Sequence, residues 1–375
     1  MDEPAPLNRI AAAVQLLEQR GADALLAFNN AQNSFLESNA VFVLSGVRPI
    51  GPSAVLIDRS GRASLVLTPA WDEARAAALA PGLTVTAADD LPASLADALE
   101  RHRVDRRRLV TVALGTMGRA LARRIEAVLG GTPPAIDDFT RDVARRRSAD
   151  ELAAARRATA IALSGYRRML EVARPGLREF ELAAELYCHM KALGAEDNFL
   201  LVSASQHNLA VRAAGRRVLD QGDIILSEIT PCYRGQYAQI CRTTVIGAPS
   251  GAMPGKYALL QQAMRRGQEA AVPGARVRDV TRAIDACFAA AGYGDYCRPP
   301  YMRVRGHGLG ITSDRPGDLT ADSDVVLEEG MVFVMHPNQY LPETGYMMCG
   351  EPVVITAHGA EALSTETATL DVIAV

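Results

Sequence analysis

Two similar helix–turn–helix segments in the second half of the chain constrain its fold more than any other feature. Each contains a long alanine-rich helical segment, a Pro-Gly pair and a second helix, over residues 150–173 and 178–193 in one copy and 254–271 and 277–291 in the other. The junctions ARPGLREFELA and AVPGARVRDVT also match in residue type. Because strand-like segments follow each helix pair, we predict two related α-plus-β halves about a pseudo-twofold axis.

The first half of the chain alternates between helix-like and strand-like segments, which is typical of an α/β domain. An amphipathic helix is predicted over residues 7–20, and short apolar runs follow it as ALLAF, VFVL, SAVLI and ASLVL. A glycine- and proline-rich break occurs at 130–134, and a charged stretch at 145–150. We therefore predict an α/β N-terminal domain over 1–140 and an α+β C-terminal domain over 150–375.

Composition and charge exclude several classes of protein. The chain has 375 residues, of which 49% are hydrophobic, and its formal net charge is -3, without the long basic run that a nucleic-acid-binding surface requires. No apolar run approaches the ~20 residues that span a bilayer. The first ten residues lack the features of a secretion signal, and the six cysteines form no CxxC pair, so reduced thiols and a cytoplasmic location are expected.

The stretch GDIILSEITPCYRGQYAQICRTTVIG, residues 222–247, is predicted to form a β-hairpin that turns near Arg234. A tight turn would place Glu228 opposite Gln239. Period-2 alternation puts Glu228, Gln239 and Cys241 on one face, while isoleucines form an apolar face on the other side. A carboxylate, an amide and a thiol would then converge on one patch. The alternative is a half-exposed hairpin with ordinary polar residues.

Several further segments follow the hairpin in a defined order. They are RGHGLG around His307, LEEGMVFVMHP around His336 and the ending EPVVIT after Gly350. Together with the Pro-Gly junctions and the hairpin, these segments resemble the M24 family, which includes methionine aminopeptidase, Xaa-Pro aminopeptidase, prolidase and creatinase. The resemblance covers nearly the whole chain. It implies a creatinase-type N-terminal domain and a C-terminal domain with the family's pita-bread fold.

The departures from the family pattern concern its metal ligands. Metallopeptidases of this family hold two metal ions with two aspartates, one histidine and two glutamates. The matching positions in this chain are Glu228, Gln239, His307, His336 and Gly350, which precedes Glu351. Since about two negative ligands are lost, the resemblance predicts no dinuclear centre and no metal cofactor. The alternative is one zinc or manganese ion held by His307, His336 and Glu228, with Glu351 or Cys349.

Two members of the wider family that dispense with the dinuclear site are also similar. Ectoine hydrolase resembles the chain at SEITPCYRGQY, including the glutamate, and creatinase has a catalytic histidine in an HN dipeptide, which matches His207-Asn208. The resemblance implies that His207 is the general base and that Glu228 orients a histidine or binds a cationic nitrogen.

The remaining site residues follow from the same resemblance. His307 is predicted to be catalytic, Gln239 and His336 to form hydrogen bonds with the substrate, and Glu351 to contribute to substrate binding. Cys241 is predicted as a wall residue of the substrate site, with the role of nucleophile as the alternative. Arg48 lies where a partner subunit's arginine could bind a substrate carboxylate, so a homodimer is expected.

Three functions are compatible with these residues. The favoured one is a metal-independent hydrolase that cleaves a C–N bond of a small amide, lactam or amidine. The alternatives are a metal-dependent Xaa-Pro peptidase-like hydrolase with a remodelled mononuclear site and a non-catalytic binding module. A small-molecule substrate is expected, with neither nucleic acid nor membrane as a partner.

Overall fold

The computed structural model describes residues 5–37, 39–313 and 316–375. The chain forms two compact units, Met1–Arg145 (unit 1) and Arg146–Val375 (unit 2). In the described residues no helix is both long enough and apolar enough to cross a membrane.

Unit 1 is built on a five-stranded mixed sheet whose strand order is β4-β3-β2-β1-β5. Strand β1 runs antiparallel to β2 and parallel to β5. The helices and strands of the unit are α1 (Ala5–Arg20), β1 (Ala24–Asn29), α2 (Ala40–Ser45), β2 (Ser53–Asp58), β3 (Ala63–Leu67), α3 (Glu73–Leu79), β4 (Thr84–Ala87), α4 (Leu91–Arg101), β5 (Leu109–Val112), α5 (Arg119–Leu129) and α6 (Asp138–Val143). The alternating helix-like and strand-like segments of the sequence thus form the predicted α/β architecture.

The apolar run VFVL lies in helix α2 rather than in a strand. The side chain of Asn39 accepts a hydrogen bond from the backbone N–H of Phe42 and caps the first turn. Gly46 ends the helix with a φ of 72°, a left-handed conformation that favours glycine. A run of four apolar residues is compatible with a buried helix as well as with a strand. In this segment the caps at Asn39 and Gly46 favour the helix.

Unit 2 contains two larger sheets and a two-stranded ribbon. The elements are α7 (Ala149–Val172), α8 (Glu179–Ala192), β6 (Asp197–Ser205), β7 (Ile224–Tyr233), β8 (Gln236–Tyr237), β9 (Ile240–Ile246), α9 (Met253–Ala270), α10 (Val277–Ala290), β10 (Gly306–Gly308), β11 (Val332–Met335), β12 (Gln339–Leu341), β13 (Gly345–Met347), β14 (Glu351–Thr356), β15 (Gly359–Ala362) and β16 (Leu370–Ile373). One sheet has the order β16-β9-β7-β6 with β8 beside β7, the other has the order β10-β11-β14-β15, and β12 pairs with β13.

The internal duplication predicted from the two Pro-Gly junctions is confirmed in unit 2. Gly176 and Gly274 have φ angles of 88° and 85°, and each backbone N–H donates to the carbonyl of a leucine, Leu219 or Leu327. Each junction is followed by a single β-bridge, formed by Arg178 with Val218 in one half and by Arg276 with Val326 in the other. Residues 216–220 contribute only this bridge at Val218 and form no longer strand.

The central hairpin forms, but its register differs from the expected one by two residues. Glu228 lies opposite Cys241, not Gln239. The cause is the turn, in which Arg234 and Gly235 have φ angles of 46° and 75°, as in a two-residue type I′ turn. A shift of two residues keeps every side chain on its predicted face.

Candidate active site

The candidate site lies where the two larger sheets of unit 2 meet. Cys241 of β9 and Gly350, directly before β14, form a β-bridge with backbone hydrogen bonds of 3.1 and 3.0 Å. This bridge brings the polar face of the β7–β9 pair, with Glu228 and Gln239, next to β10 and β11. His307 and His336 lie on that second sheet, so the structure gathers the residues that match the family's ligand positions.

The imidazole rings of His307 and His336 pack against each other edge to face. Their ring centroids are 5.4 Å apart and their planes make an angle of 66°. Burial lowers the pKa of His307, and burial together with the neighbouring His307 lowers the pKa of His336 to about 3. Nδ1 of His307 lies 2.9 Å from the carbonyl oxygen of Gly308 and can donate a hydrogen bond to it. Both rings are therefore neutral at physiological pH.

Glu228 is a half-buried carboxyl group on β7, on the same face of the hairpin as Gln239 and Cys241. Burial raises its pKa from an ordinary value of 4.5 to about 7. The facing thiol of Cys241 is fully buried, and burial raises its pKa well above the ordinary value. Because a thiol attacks as the thiolate, this environment favours the predicted wall residue over the alternative nucleophile.

Two buried polar atoms beside Glu228 have no partner in the structure. Gln239 is 1% exposed, its Nε2 lies 3.6 Å from the Cys241 sulfur, and its Oε1 accepts no hydrogen bond. Nδ1 of His336 also has no partner. Buried polar groups are normally satisfied, so these two unpartnered atoms are candidates for contact with a ligand.

Gly350 leaves no room for the glutamate that the family carries at this position. A Cβ atom here would lie 2.7 Å from both Cβ and Sγ of Cys241 and 2.9 Å from Cβ of His336. The next residue, Glu351, forms an ion pair of 2.8 Å with Arg242, and both side chains are buried. The contact between Glu351 and the substrate that the sequence predicts would therefore have to compete with the ion pair between Glu351 and Arg242.

Replacing Gly350 with alanine should test this close approach. We expect the overpacked Cβ to lower the free energy of unfolding by about 1–3 kcal/mol. Gly255→Ala is the matched control, because a Cβ there meets no atom within 4 Å. Chemical denaturation of both variants measures the difference, and equal stability of the two would show that Cys241 and His336 do not pack against this position.

The donor set does not fit the family's two-metal centre. Among residues 5–37, 39–313 and 316–375, no group of three or more His, Cys, Asp or Glu side chains is placed to hold a metal ion. Cys349, an alternative ligand, lies in an apolar cluster where burial raises its pKa to about 12. The imidazoles of His307 and His336 remain as two adjacent candidate ligands for a single ion.

The sequence did not indicate three residues that support the site, namely Tyr346, Asn338 and Arg305. Burial and the nearby Glu228 raise the pKa of Tyr346, whose hydroxyl shares a hydrogen bond with Asn338. Arg305, 1% exposed, donates to Asn338 O at 3.0 Å and to Gln339 Oε1 at 2.9 Å, so it holds the segment after His336. The one signal in the sequence for these contacts is the polar pair Asn338-Gln339, which follows a buried strand.

His207 lies apart from the imidazole pair. It is exposed on the loop after β6, with Nε2 3.4 Å from the hydroxyl of Tyr340. Its described side-chain contacts include neither His307 nor His336, whereas the adjacent Asn208 is buried and donates to Ile224 O at 2.8 Å. The role of His207 as a base stays a prediction.

Two further groups belong to unit 1. The guanidinium of Arg48 lies 5.5 Å from the ring centroid of Phe42, and its predicted contact with a partner's substrate stays a prediction. Ser64, His102 and Asp58 form a hydrogen-bonded series with distances of 2.8 and 2.7 Å. Ser64 is 2% exposed, so this series links β2, β3 and the end of α4 and offers no accessible nucleophile.

Comparisons with known proteins agree on one family. The model of metallopeptidase family M24 matches residues 153–357, which is 205 of the 375 residues. The chain is 28% identical to Xaa-Pro dipeptidase of Pyrococcus furiosus over 232 residues, 61% of this chain and 66% of the relative. It is 29% identical to the uncharacterized peptidase YqhT of Bacillus subtilis over 52% of this chain and 55% of that protein. The matches thus span between half and two thirds of these relatives.

Solved structures show the same fold over nearly the whole chain. Xaa-Pro dipeptidase from Bacillus anthracis superposes with a TM-score of 0.85 at 20% identity, covering 98% of this chain and 99% of that one. X-Pro aminopeptidase from Thermotoga maritima gives a TM-score of 0.84 at 22% identity, covering 97% and 99%. These superpositions confirm the predicted fold, which consists of an α/β unit and a pita-bread unit.

These findings correct two expectations from the sequence. The favoured non-peptide, metal-independent hydrolase of the creatinase and ectoine hydrolase branch is wrong, because the matching relatives are Xaa-Pro dipeptidases and the matching family is one of metallopeptidases. The expectation of no cofactor is wrong for the same reason. The alternative from the sequence, a single ion with His307 and His336 among its ligands, agrees better with these findings. The chain belongs to metallopeptidase family M24.

Proposed function

We propose that this protein is a metal-dependent, Xaa-Pro peptidase-like hydrolase with a remodelled mononuclear site. The observation that carries the proposal is the imidazole pair of His307 and His336 beside the carboxyl group of Glu228, in the fold of Xaa-Pro dipeptidases. Its substrate would be a small peptide or a related molecule with a C–N bond to be hydrolysed.

A single zinc or manganese ion would be held by His307 and His336. Such an ion polarises a carbonyl group and lowers the pKa of water. Low pKa values keep both imidazoles unprotonated, which is the form that binds metal. Two protein ligands form a weak site, so the ion should exchange readily with solution.

Glu228 is proposed as the proton carrier of the reaction. With a pKa of about 7, the group exists in both protonation states near neutral pH and can accept a proton and return it. The fully buried Tyr237 and the half-buried Tyr346 limit the access of solvent to this face of the hairpin. Hydrolysis needs a proton on the leaving nitrogen, and Glu228 is the carboxyl group proposed to provide it.

Hydrolysis of Xaa-Pro dipeptides tests the proposal directly. The protein should release proline from Ala-Pro or Leu-Pro when Mn²⁺ or Zn²⁺ is added, and chelation should stop the release. Elemental analysis should find about one ion per chain at saturation and much less after dialysis against a chelator. The absence of turnover with either metal, or turnover that chelation leaves unchanged, would contradict this function.

We also propose that the protein is a homodimer in the cytoplasm. The dimer is proposed because of the position of Arg48 in a loop of unit 1. The cytoplasmic location is proposed because the six cysteines are scattered and form no disulfide. If Arg48 binds a substrate carboxylate in the partner's site, Arg48→Ala should raise KM by roughly 10-fold or more without lowering Tm.

Arg20→Ala, an exposed arginine at the end of α1, is the matched control. Sedimentation analysis measures the assembly. A monomer at working concentration, or an unchanged KM in Arg48→Ala, would count against the arrangement.

A further inference from the structure

Helix α8 of unit 2 carries an exposed apolar stripe on its outer face. Phe180 is 46% exposed and Tyr187 is 42% exposed, and Ala184 and Cys188 are exposed as well. These four positions recur at helical spacing, so they lie on one side of the helix. The other side packs into the core through Leu182, Leu186 and Met190. Helix α8 is therefore apolar on both sides.

The internal duplication provides a comparison for this face. Helix α10 has the same length of 14 residues and the same position after its Pro-Gly junction, so Phe180 corresponds to Arg278 and Ala184 to Arg282. The outer face of α10 is thus charged where that of α8 is apolar. Since both halves share one architecture, the fold does not require apolar residues on this face. Exposed apolar stripes of this kind mark surfaces that bind a partner.

The charges along α8 make the stripe complementary to a second copy of itself. Acidic residues lie in the first turn and basic residues in the last turn, among them Glu181 and Lys191. Nζ of Lys191 donates to the backbone carbonyl of Glu196 at 3.1 Å, and no carboxylate of the described residues forms an ion pair with it. In an antiparallel pair of α8 helices, Glu181 of each copy lies beside Lys191 of the other, and the two helix dipoles oppose each other.

Antiparallel packing also fits the sizes of the side chains on the stripe. When Phe180 packs on Lys191 of the second copy, Ala184 lies opposite Tyr187, a small side chain against a large one. The Phe180 ring then covers the stem and the ammonium group of Lys191, which is a cation–π contact. The hydroxyl of Tyr187 already donates to Asn198 O at 2.9 Å, so this side chain loses little freedom when a partner binds.

We propose that two copies of this chain associate through their α8 helices, which pack antiparallel about a twofold axis at the middle of the helix. The interface does not depend on the proposed function, and it is separate from the proposed contact of Arg48, which belongs to unit 1. A 14-residue helix is about 21 Å long, which makes a small interface. Association should therefore depend on concentration, with a dissociation constant in the micromolar range.

Exchange of charges tests the arrangement, because an antiparallel pair of identical helices responds to it in a defined way. In Glu181→Lys two lysines meet at each contact, and in Lys191→Glu two glutamates meet, so each variant should associate roughly 10-fold more weakly or worse. An equimolar mixture of the two variants should associate as the wild-type protein does, because every lysine then faces a glutamate. Sedimentation velocity over about 1–100 µM compares the mixture with each variant alone.

Two further variants give α8 the residues that α10 has at the same positions. Phe180→Arg and Ala184→Arg should each weaken association by roughly 10- to 100-fold, so that the assembly has half the mass of the wild-type one. Arg282→Ala on α10 is the matched control, since its side chain is 63% exposed, and it should leave the mass unchanged. The Tm of each variant should stay close to that of the wild-type protein, because the replaced side chains are exposed.

Cross-linking detects this contact apart from any other contact between copies. Cys188 is exposed, while the other five cysteines are buried or partly buried. In the proposed pair the two copies of Cys188 are about 8 Å apart along the helix axis, so a short bismaleimide should join two chains. Cys188→Ser and Phe180→Arg should both prevent the cross-link.

Three results would overturn the proposal. The first is an equal mass of the wild-type protein and Phe180→Arg over the whole concentration range. The second is a mixture of Glu181→Lys and Lys191→Glu that associates no better than its components, as expected if a different protein covers this face. The third is a cross-link through Cys188 that Phe180→Arg leaves unchanged.

Discussion

Loss of one imidazole is expected to remove metal and activity together. In His307→Ala the ion should dissociate, because His336 alone is a single ligand, and kcat/KM for an Xaa-Pro dipeptide should fall by about 10²–10⁴. His336→Ala should behave in the same way. Binding of metal, measured by calorimetry or elemental analysis, should be lost in both variants even where no substrate is present.

His358→Ala provides the control, since His358 is an exposed histidine in the turn between β14 and β15. That variant should keep its metal and its activity. If His307→Ala binds metal as the wild-type protein does, the ion lies elsewhere in the chain. If His307→Ala loses metal but keeps activity, the imidazole pair is not the site of the reaction.

Replacing Glu228 with glutamine is expected to stabilise the protein while inactivating it. The folded-state pKa of about 7 lies above the ordinary 4.5, so the folded state holds the proton more tightly than the unfolded chain does. The resulting stabilisation is complete below pH ~4 and is lost as pH rises through ~7. Above that pH the wild-type protein contains a buried charge, and glutamine avoids its cost.

The expected gain in the free energy of unfolding is about 1–3 kcal/mol at pH ~8 and close to zero at pH ~4. The kcat/KM of Glu228→Gln should be lower than that of the wild-type protein by about 10²–10⁴, as for loss of a general acid–base group. Glu329→Gln, at an exposed position, should change neither quantity. A stability difference that is independent of pH would show that Glu228 does not titrate in this range.

Part of the site could be predicted from the sequence because strand periodicity does not depend on exact pairing. Alternate residues of a strand point to the same face, so Glu228, Gln239 and Cys241 share a face in either register. Likewise, the repeated Pro-Gly junctions predicted the duplicated halves, since Gly176 and Gly274 both adopt a left-handed conformation in the turn between two paired helices. These features depend on local backbone geometry and are therefore visible in the sequence.

Other features were decided by details of turns and helix caps or by contacts between segments that are distant in the chain. The type I′ turn at Arg234-Gly235 set the pairing of Glu228 with Cys241, and VFVL became a helix because Asn39 caps it. Cys241 and Gly350 are 109 residues apart in the sequence, yet they lie so close that a Cβ atom at position 350 would clash with Cys241. A glutamate therefore does not fit at position 350. The sequence shows which ligands are exchanged, but only the tertiary structure brings His307 and His336 side by side, because their adjacency depends on the pairing of two strands.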